Sequence, residues 1–490
     1  MTGTKKQTNV LIMTIAVFIA TFMTAIEGTI VSTAMPTIVG SLHGVKLMNW
    51  VFSIYLLTSA MTTPIFGKMA DRIGRKPVML LGLGVFVVGS LLSGLSQSMI
   101  VLIIMRAIQG IGAGAIMPVT FTIIADMYPV EQRARILGLN GSAWGIAAVI
   151  APLLGGFIVD QLSWHWVFVI NVPIGLLTML LTIIFMHEDY VKQNSPVDYL
   201  GSGLLALALM FILIAFQSLS GAHGLVRFII LLVVAGVLLV FFMRREKRAA
   251  DPVISPDLFK LRTFMIQNII AALISGVVMA TEVYMPMWMQ GILGLSASLG
   301  GFVVTPSSVV WILGSFIAGP MLVRMRPQRV LVIALLVVLA GLGIMLMLPA
   351  YAPYWNFLFV SGLLGLGFGI IITATTVTSQ SAVDNSQVGV ATSFNTLSRT
   401  LGQTLMVSIF GIIFNMTVAN VHRYGKGLTT DMLNTLVNPQ TAGQLPHQAL
   451  APLREALFAA FRGVFISCAV IVILGFVINL FDAKRKPAKD

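Results

Sequence analysis

The chain has one cysteine, few charges and only six histidines, and each scarcity removes a class of protein. A lone thiol, Cys468, cannot staple a small secreted scaffold, which needs paired cysteines. Charged residues make up 10% of the chain, against about 25% in a soluble domain. With 57% of the residues hydrophobic, that ratio excludes a water-facing globule, a disordered chain and a nucleic-acid binder. The histidines are scattered, no Cys/His metal cluster forms, and no G-x-x-x-x-G-K-S/T phosphate loop occurs. Neither a metalloenzyme nor a nucleotide hydrolase is therefore expected.

What the chain has in excess is long apolar runs. Crossing a bilayer core of about 30 Å takes about 20 helical residues. Fourteen runs reach that length, near residues 10–33, 47–66, 78–95, 99–125, 136–158, 164–186, 199–219, 224–243, 263–290, 299–321, 329–348, 354–379, 389–419 and 454–481. They are continuous rather than alternating, which argues against a β-barrel, and lipid then demands helices because every backbone group must be paired internally. The predicted fold class is an all-α integral membrane protein. With the N-terminus placed in the cytoplasm, 22 of the 30 Lys and Arg fall inside, five outside and three within spans. The net charge of +13 is thus a topology signal, with both termini cytoplasmic. The first span is too long for a signal peptide and no small-residue cleavage site follows it, so it is expected to be retained.

Two six-helix blocks, residues 1–190 and 261–490, flank a two-helix insertion with cytoplasmic connectors at 191–260. An internal echo supports the division: Gly67, Met69, Arg72 and Val78 align with Gly319, Met321, Arg324 and Val330, and Gly110, Gly112 and Gly114 with Gly365, Gly367 and Gly369. Repeated halves that meet at a midplane cavity are a common transporter plan. The polar stretch 420–453, with three prolines, falls outside and reads equally as a helical cap or a loose loop.

Several motifs carry candidate chemistry. The loop after the second span reads Gly67-Lys-Met-Ala-Asp71-Arg72-Ile-Gly74-Arg75-Lys76. Its glycines permit a tight turn, Asp71 can cap a helix, and Arg72 and Arg75 can pair with Asp126 or Glu131. The fourth span holds Arg106-Ala-Ile-Gln109-Gly110-Ile-Gly112, an arginine that costs at least ~2.5 kcal/mol in lipid and must find partners inside the bundle. The fifth has Gly145 and then Ala151-Pro152-Leu-Leu-Gly155-Gly156, and after it come Trp164-His-Trp166-Val-Phe168 and Asn171-Val-Pro173-Ile-Gly175. The first holds Ile26-Glu27-Gly28-Thr29-Ile30.

In order, these segments resemble the GxxADRxGRK, RxxQGxG, GPxxGG, WRWxFxINVPxG and LDxTIVNVALP elements of the major facilitator superfamily, the last two from its fourteen-span drug:proton antiporter branch. Ala151 stands where the antiporter element has its first glycine, and Glu27 where the first-span element has aspartate. The resemblance implies two rocking bundles about a midplane site. It implies that the Gly67–Lys76 loop is a latch that holds the blocks together on the cytoplasmic side in one state and parts in the other. It also implies that the Pro152 region is a bend sealing the cavity against protons.

Glu27 and Glu282 are the acids placed well inside spans, and Asp126 and Asp384 fall near cytoplasmic ends. A carboxyl group withdrawn from water holds its proton more tightly, so Glu27 and Glu282, with Arg106 as a tuning charge, are the candidate proton carriers. Candidate cavity residues are Met23, Tyr55, Trp144, Tyr284, Met285, Trp288, Trp311 and the buried cation Arg399. The implied function is proton-coupled export of lipophilic cationic drugs by a monomer in a bacterial cell membrane, driven by the proton gradient without cofactor or metal. Export of an endogenous lipid or metabolite, uptake by symport, and a receptor or scaffold remain as alternatives.

Overall fold

The computed structural model describes residues 8–188, 199–218, 224–248, 256–384 and 387–482. All regular structure among them is helical. The first half holds α1 (Val10–Leu42), α2 (Met48–Ile73), α3 (Arg75–Gly94), α4 (Met99–Met127), α5 (Val130–Gln161) and a broken sixth span, α6 (Trp166–Val169) and α7 (Asn171–Phe185). The insertion is α8 (Tyr199–Ser218) and α9 (Gly224–Glu246). In the second half, α10 (Arg262–Gly291) precedes a broken span, α11 (Ala297–Phe302) and α12 (Thr305–Arg324), then α13 (Pro327–Met347) and α14 (Tyr354–Gln380). It ends with α15 (Val388–Ala419), the short α16 (Thr430–Val437) and α17 (Pro439–Ala442), and α18 (His447–Leu480).

Thirteen helical segments among the described residues are long and apolar enough to cross a membrane, and α8 adds the shorter stretch Leu200–Phe216 where the seventh span is expected. The fourteen predicted spans each correspond to a helical segment. The first limit, residue 33, is too early: α1 continues to Leu42. Its polar residues Ser32 and Thr33 donate their hydroxyls to the carbonyl of Thr29 at 2.8 and 3.2 Å, so they leave no unpaired group in the helix. The helix stops only where His43 turns left-handed at φ 50°.

The glycine echo is a packing echo. In α4, Gly110 and Gly114 press on the carbonyls of Tyr55 and Ser59 in α2, whereas Gly112 meets the backbone of Phe86 in α3. Correspondingly in α14, Gly365 and Gly369 press on the carbonyls of Ser307 and Trp311 in α12, and Gly367 lies against Ala334 and Val338 in α13. A methyl group at any of these positions would overlap the neighbouring helix.

The described hydrogen bonds between the halves lie from the bundle middle to the end opposite Lys68, Arg72, Arg75 and Lys76. Tyr284 donates to Asn49 at 2.9 Å, Gln290 to the carbonyl of Thr33 at 3.1 Å, and Asn415 to the carbonyl of Lys46 at 2.9 Å. Nearer the middle, Ser53 and Ser408 share one at 3.3 Å. Stretch 420–453 is helical there: α16 buries Leu433, Leu436 and Val437, and Asn434 accepts the amide of Val45 at 2.9 Å. On the flank, α8 packs against both α2 and α15 through Leu57, Leu209, Leu213 and Leu401. By contrast, α9 leaves Leu225, Val226 and Val233 exposed, as lipid-facing residues are.

Candidate functional site

The intramembrane acid of α1 is bound by α4 and α7, and its partners are bound in turn by α2 and α3. Glu27 pairs with Arg106 of α4, and both side chains are sealed from solvent. The same Arg106 nitrogen donates to Gln109 at 2.8 Å, and its Nε donates to the carbonyl of Val51 in α2 at 3.3 Å. Its guanidinium lies 4.1 Å above the Tyr55 ring. Asn171, at the start of α7, donates to the second Glu27 oxygen at 2.7 Å and to Ser90 of α3 at 3.0 Å. Ser90 donates its hydroxyl hydrogen bond to the carbonyl of Phe168 at 2.8 Å. Sequence reasoning placed Glu27, Arg106 and Tyr55 but assigned no role to Asn171 or Ser90. A buried amide opening a helix inside an apolar span was the available signal.

At the basic end, Arg75 is paired with Asp126 at 2.9 Å, Glu188 at 3.7 Å and Asp71 at 3.8 Å. The capping differs from the expectation. The carboxylate that caps α3 is that of Glu188, which accepts the amides of Arg75 and Lys76 at 2.9 and 3.0 Å, whereas the described pairing of Asp71 is to Arg75 one turn on. These partners all belong to the first half, so the described ion pairs join α2, α3, α4 and the end of α7 rather than the two blocks. Gly74, at φ 100°, supplies the turn between α2 and α3; Arg72 is exposed, and Gly67 meets only Pro118. The side chain of Glu131 lies outside the described residues.

The antiporter-like segment forms the seam between halves. Gly145 faces Ile312 of α12, Gly301 of α11 packs on the carbonyl of Pro152, Gly155 meets Ile30 of α1, and Gly156 lies against the backbone of Ser298. One turn beyond Gly156, Asp160 accepts the amides of Ala297 and Ser298 at 3.1 and 3.0 Å and the Ser298 hydroxyl at 2.5 Å. That carboxylate was not singled out in the sequence, where it looks like an ordinary charge at a span end.

A small, partly open cavity lies where α1 meets α10, α12 and α14. Glu282 and Met285 of α10, Trp311 of α12 and Thr29 of α1 line it, with Ser307, Ser308 and Ser361. Glu282 makes no hydrogen bond or ion pair among the described residues, in contrast to the fully engaged Glu27. Other expected cavity residues are elsewhere. Met23 is buried in the first-half core beside Gly175, and Tyr284 is buried against Phe414 and Phe461. Trp288 stacks on Phe461 and donates to the carbonyl of Ala350 at 3.2 Å. Their helix, α10, is covered on nearly every face, so an aromatic there fills core. Tyr55 serves the ion pair. Arg399 does not line this cavity; it is half-buried in α15 and its Nε is buried without a hydrogen-bond partner among the described residues. Trp144 is 47% exposed although it lies three turns from Gly155 on the face that meets α1, so α1 and α5 part toward the basic end.

Residues 17–407 match the family model described as Major Facilitator Superfamily. Multidrug resistance protein 3 of Bacillus subtilis is 32% identical, covering 99% of this chain and 97% of its own. Multidrug transporter protein MdtP of the same organism is 30% identical over 99% and 94%. Multidrug efflux pump SdrM of Staphylococcus aureus is 32% identical over 82% and 90%. The fold is that of a bacterial homologue of the human lysosomal transporter Spinster in an inward-facing, unoccupied conformation, with TM-score 0.66, 14% identity and 96% of each chain covered. A D-xylose-proton symporter shares it at TM-score 0.60 and 13% identity, over 82% and 90%.

Proposed function

Because the chain belongs to the Major Facilitator Superfamily, whose members are membrane transporters and not enzymes, we propose that it exports amphipathic cationic drugs in exchange for protons. The observation that carries the reading is the unpaired carboxylate of Glu282 in a cavity built from both halves. A carboxylate there holds either a proton or the cation of a substrate, and each excludes the other. That mutual exclusion is what exchange requires. The names of the similar Bacillus and Staphylococcus proteins support the drug class.

With the basic end in the cytoplasm, as the Lys and Arg distribution favours, the cavity is entered from inside past Trp144. Outward release requires the seam at Asp160, Asn49, Thr33 and Lys46 to part while the basic ends close, a rigid rocking of the halves. The Arg75 cluster keeps the ends of α2, α3, α4 and α7 together as one body during that motion. Exchange of one proton for one monovalent cation at Glu282 moves no net charge, so the pH difference drives it, at about 1.4 kcal/mol per pH unit. No cofactor or partner chain enters this scheme, and one chain suffices for it.

The test uses purified protein in liposomes with a pH-sensitive dye inside and ethidium added outside. Cation-triggered proton movement that Glu282→Gln removes supports the proposal. Absence of such movement with any cation, from folded protein, rejects it.

A further inference from the structure

Resting on that export reading, we infer that the Glu282 cavity selects cations bearing N–H donors, such as ammonium and guanidinium amphiphiles, over quaternary cations of the same size and apolar body. The reasoning counts what the cavity has to offer. Its oxygens are free: the hydroxyls of Thr29, Ser307 and Ser308, like the Glu282 carboxylate, make no hydrogen bond among the described residues. Ser361 accepts the Ser307 amide at 3.2 Å and keeps a second lone pair. Only Thr281 is spent, donating within its own helix to Val278 at 2.7 Å.

Aromatic surface is what the cavity lacks. Trp311 is its one ring, leaning on Phe368 at 6.1 Å between centroids, while Tyr284 and Trp288 are locked in the core and turned to Asn49 and Ala350. A quaternary cation has no N–H to give and is recognised by rings on several sides. An ammonium or guanidinium group instead donates three to five N–H bonds, strongest to a carboxylate, and so pairs most of the oxygens that the cavity leaves free. Met285 and Leu364 provide the apolar wall for the rest of an amphiphile. Because Thr29 belongs to α1 and Ser307, Ser308 and Glu282 to the second half, such a head group also bonds both halves at once.

The experiment compares 4-phenylbutylguanidinium with 4-phenylbutyltrimethylammonium, which share one apolar body and both stay charged at neutral pH. Binding is titrated calorimetrically on the full chain, and proton movement is followed in liposomes. The guanidinium is expected to bind about tenfold more tightly, as one or two additional charge-assisted hydrogen bonds predict. Ser307→Ala with Ser308→Ala should weaken it severalfold and leave the quaternary cation unchanged; these hydroxyls make no hydrogen bond among the described residues, and an unchanged thermal midpoint checks the fold. Equal or tighter binding of the quaternary cation overturns the inference, as does indifference of the guanidinium to the double variant. A binding preference without proton movement keeps the inference and sinks the export reading. Proton movement driven equally by both cations does the reverse.

Discussion

Removing the charge of Glu27 should harm the protein more than removing the whole ion pair. In Glu27→Gln, Arg106 keeps Gln109, the Val51 carbonyl and the Tyr55 ring, but its charge is left uncompensated in a site sealed from water. Breaking a buried pair from one side costs about 3–5 kcal/mol, whereas replacing both partners is often close to neutral. Arg106→Gln strands the carboxylate in the same way, with no cation left beside it among the described residues. The double variant Glu27→Gln, Arg106→Gln should therefore recover most of the loss, a coupling of about 3 kcal/mol. Thermal midpoints of the four proteins in one detergent, read by tryptophan fluorescence, give the cycle. A double variant as unstable as the sum of the singles would refute the claim that the pair is a closed, mutually neutralised unit.

Three further outcomes are expected. Asp160→Ala removes three hydrogen bonds to the start of α11. It should speed maleimide labelling of a cysteine at Thr37 severalfold, against the buried Cys468 as background; an unchanged rate would mean that Asp160 does not hold the seam. Gly402→Ala puts a methyl 2.0 Å from the Ala272 carbonyl and should cost about 1–3 kcal/mol or block folding, whereas Gly236→Ala meets open space and should be silent in the same thermal assay. Asp71→Asn should slow turnover while leaving substrate affinity intact, since the residue lies at the basic end and away from the cavity. A weakened affinity with normal turnover would contradict that placement.

The spans were legible because lipid imposes one rule on every helix: about 20 apolar residues with no unpaired backbone. That Arg106 serves a nearby carboxylate was legible for a related reason, since a lone arginine among apolar residues needs an acid and few acids lie at that depth; that the acid is Glu27 rather than Glu282 was not. Side-chain direction was not legible. Helix α10 is buried around nearly its whole circumference, so no polar stripe tells Glu282 and Met285, which face the cavity, from Tyr284 and Trp288, which face the core. Partners that depend on tertiary approach were invisible as well. Glu188 and Asp160 look like ordinary charges at span ends, yet one caps α3 and the other clasps α11. The i, i+4, i+8 spacing of Pro152, Gly156 and Asp160 puts all three on one face of α5 and was the only cue to the seam.

The most direct measurement of the central claim is proton release on binding. Purified protein in weakly buffered detergent solution is titrated with a lipophilic cation while the pH is recorded, for the wild type and for Glu282→Gln. One carboxyl that trades a proton for a cation predicts release of up to one proton per bound cation from the wild type and none from the folded variant. Release of equal size from Glu282→Gln would contradict it and move the exchange to another group.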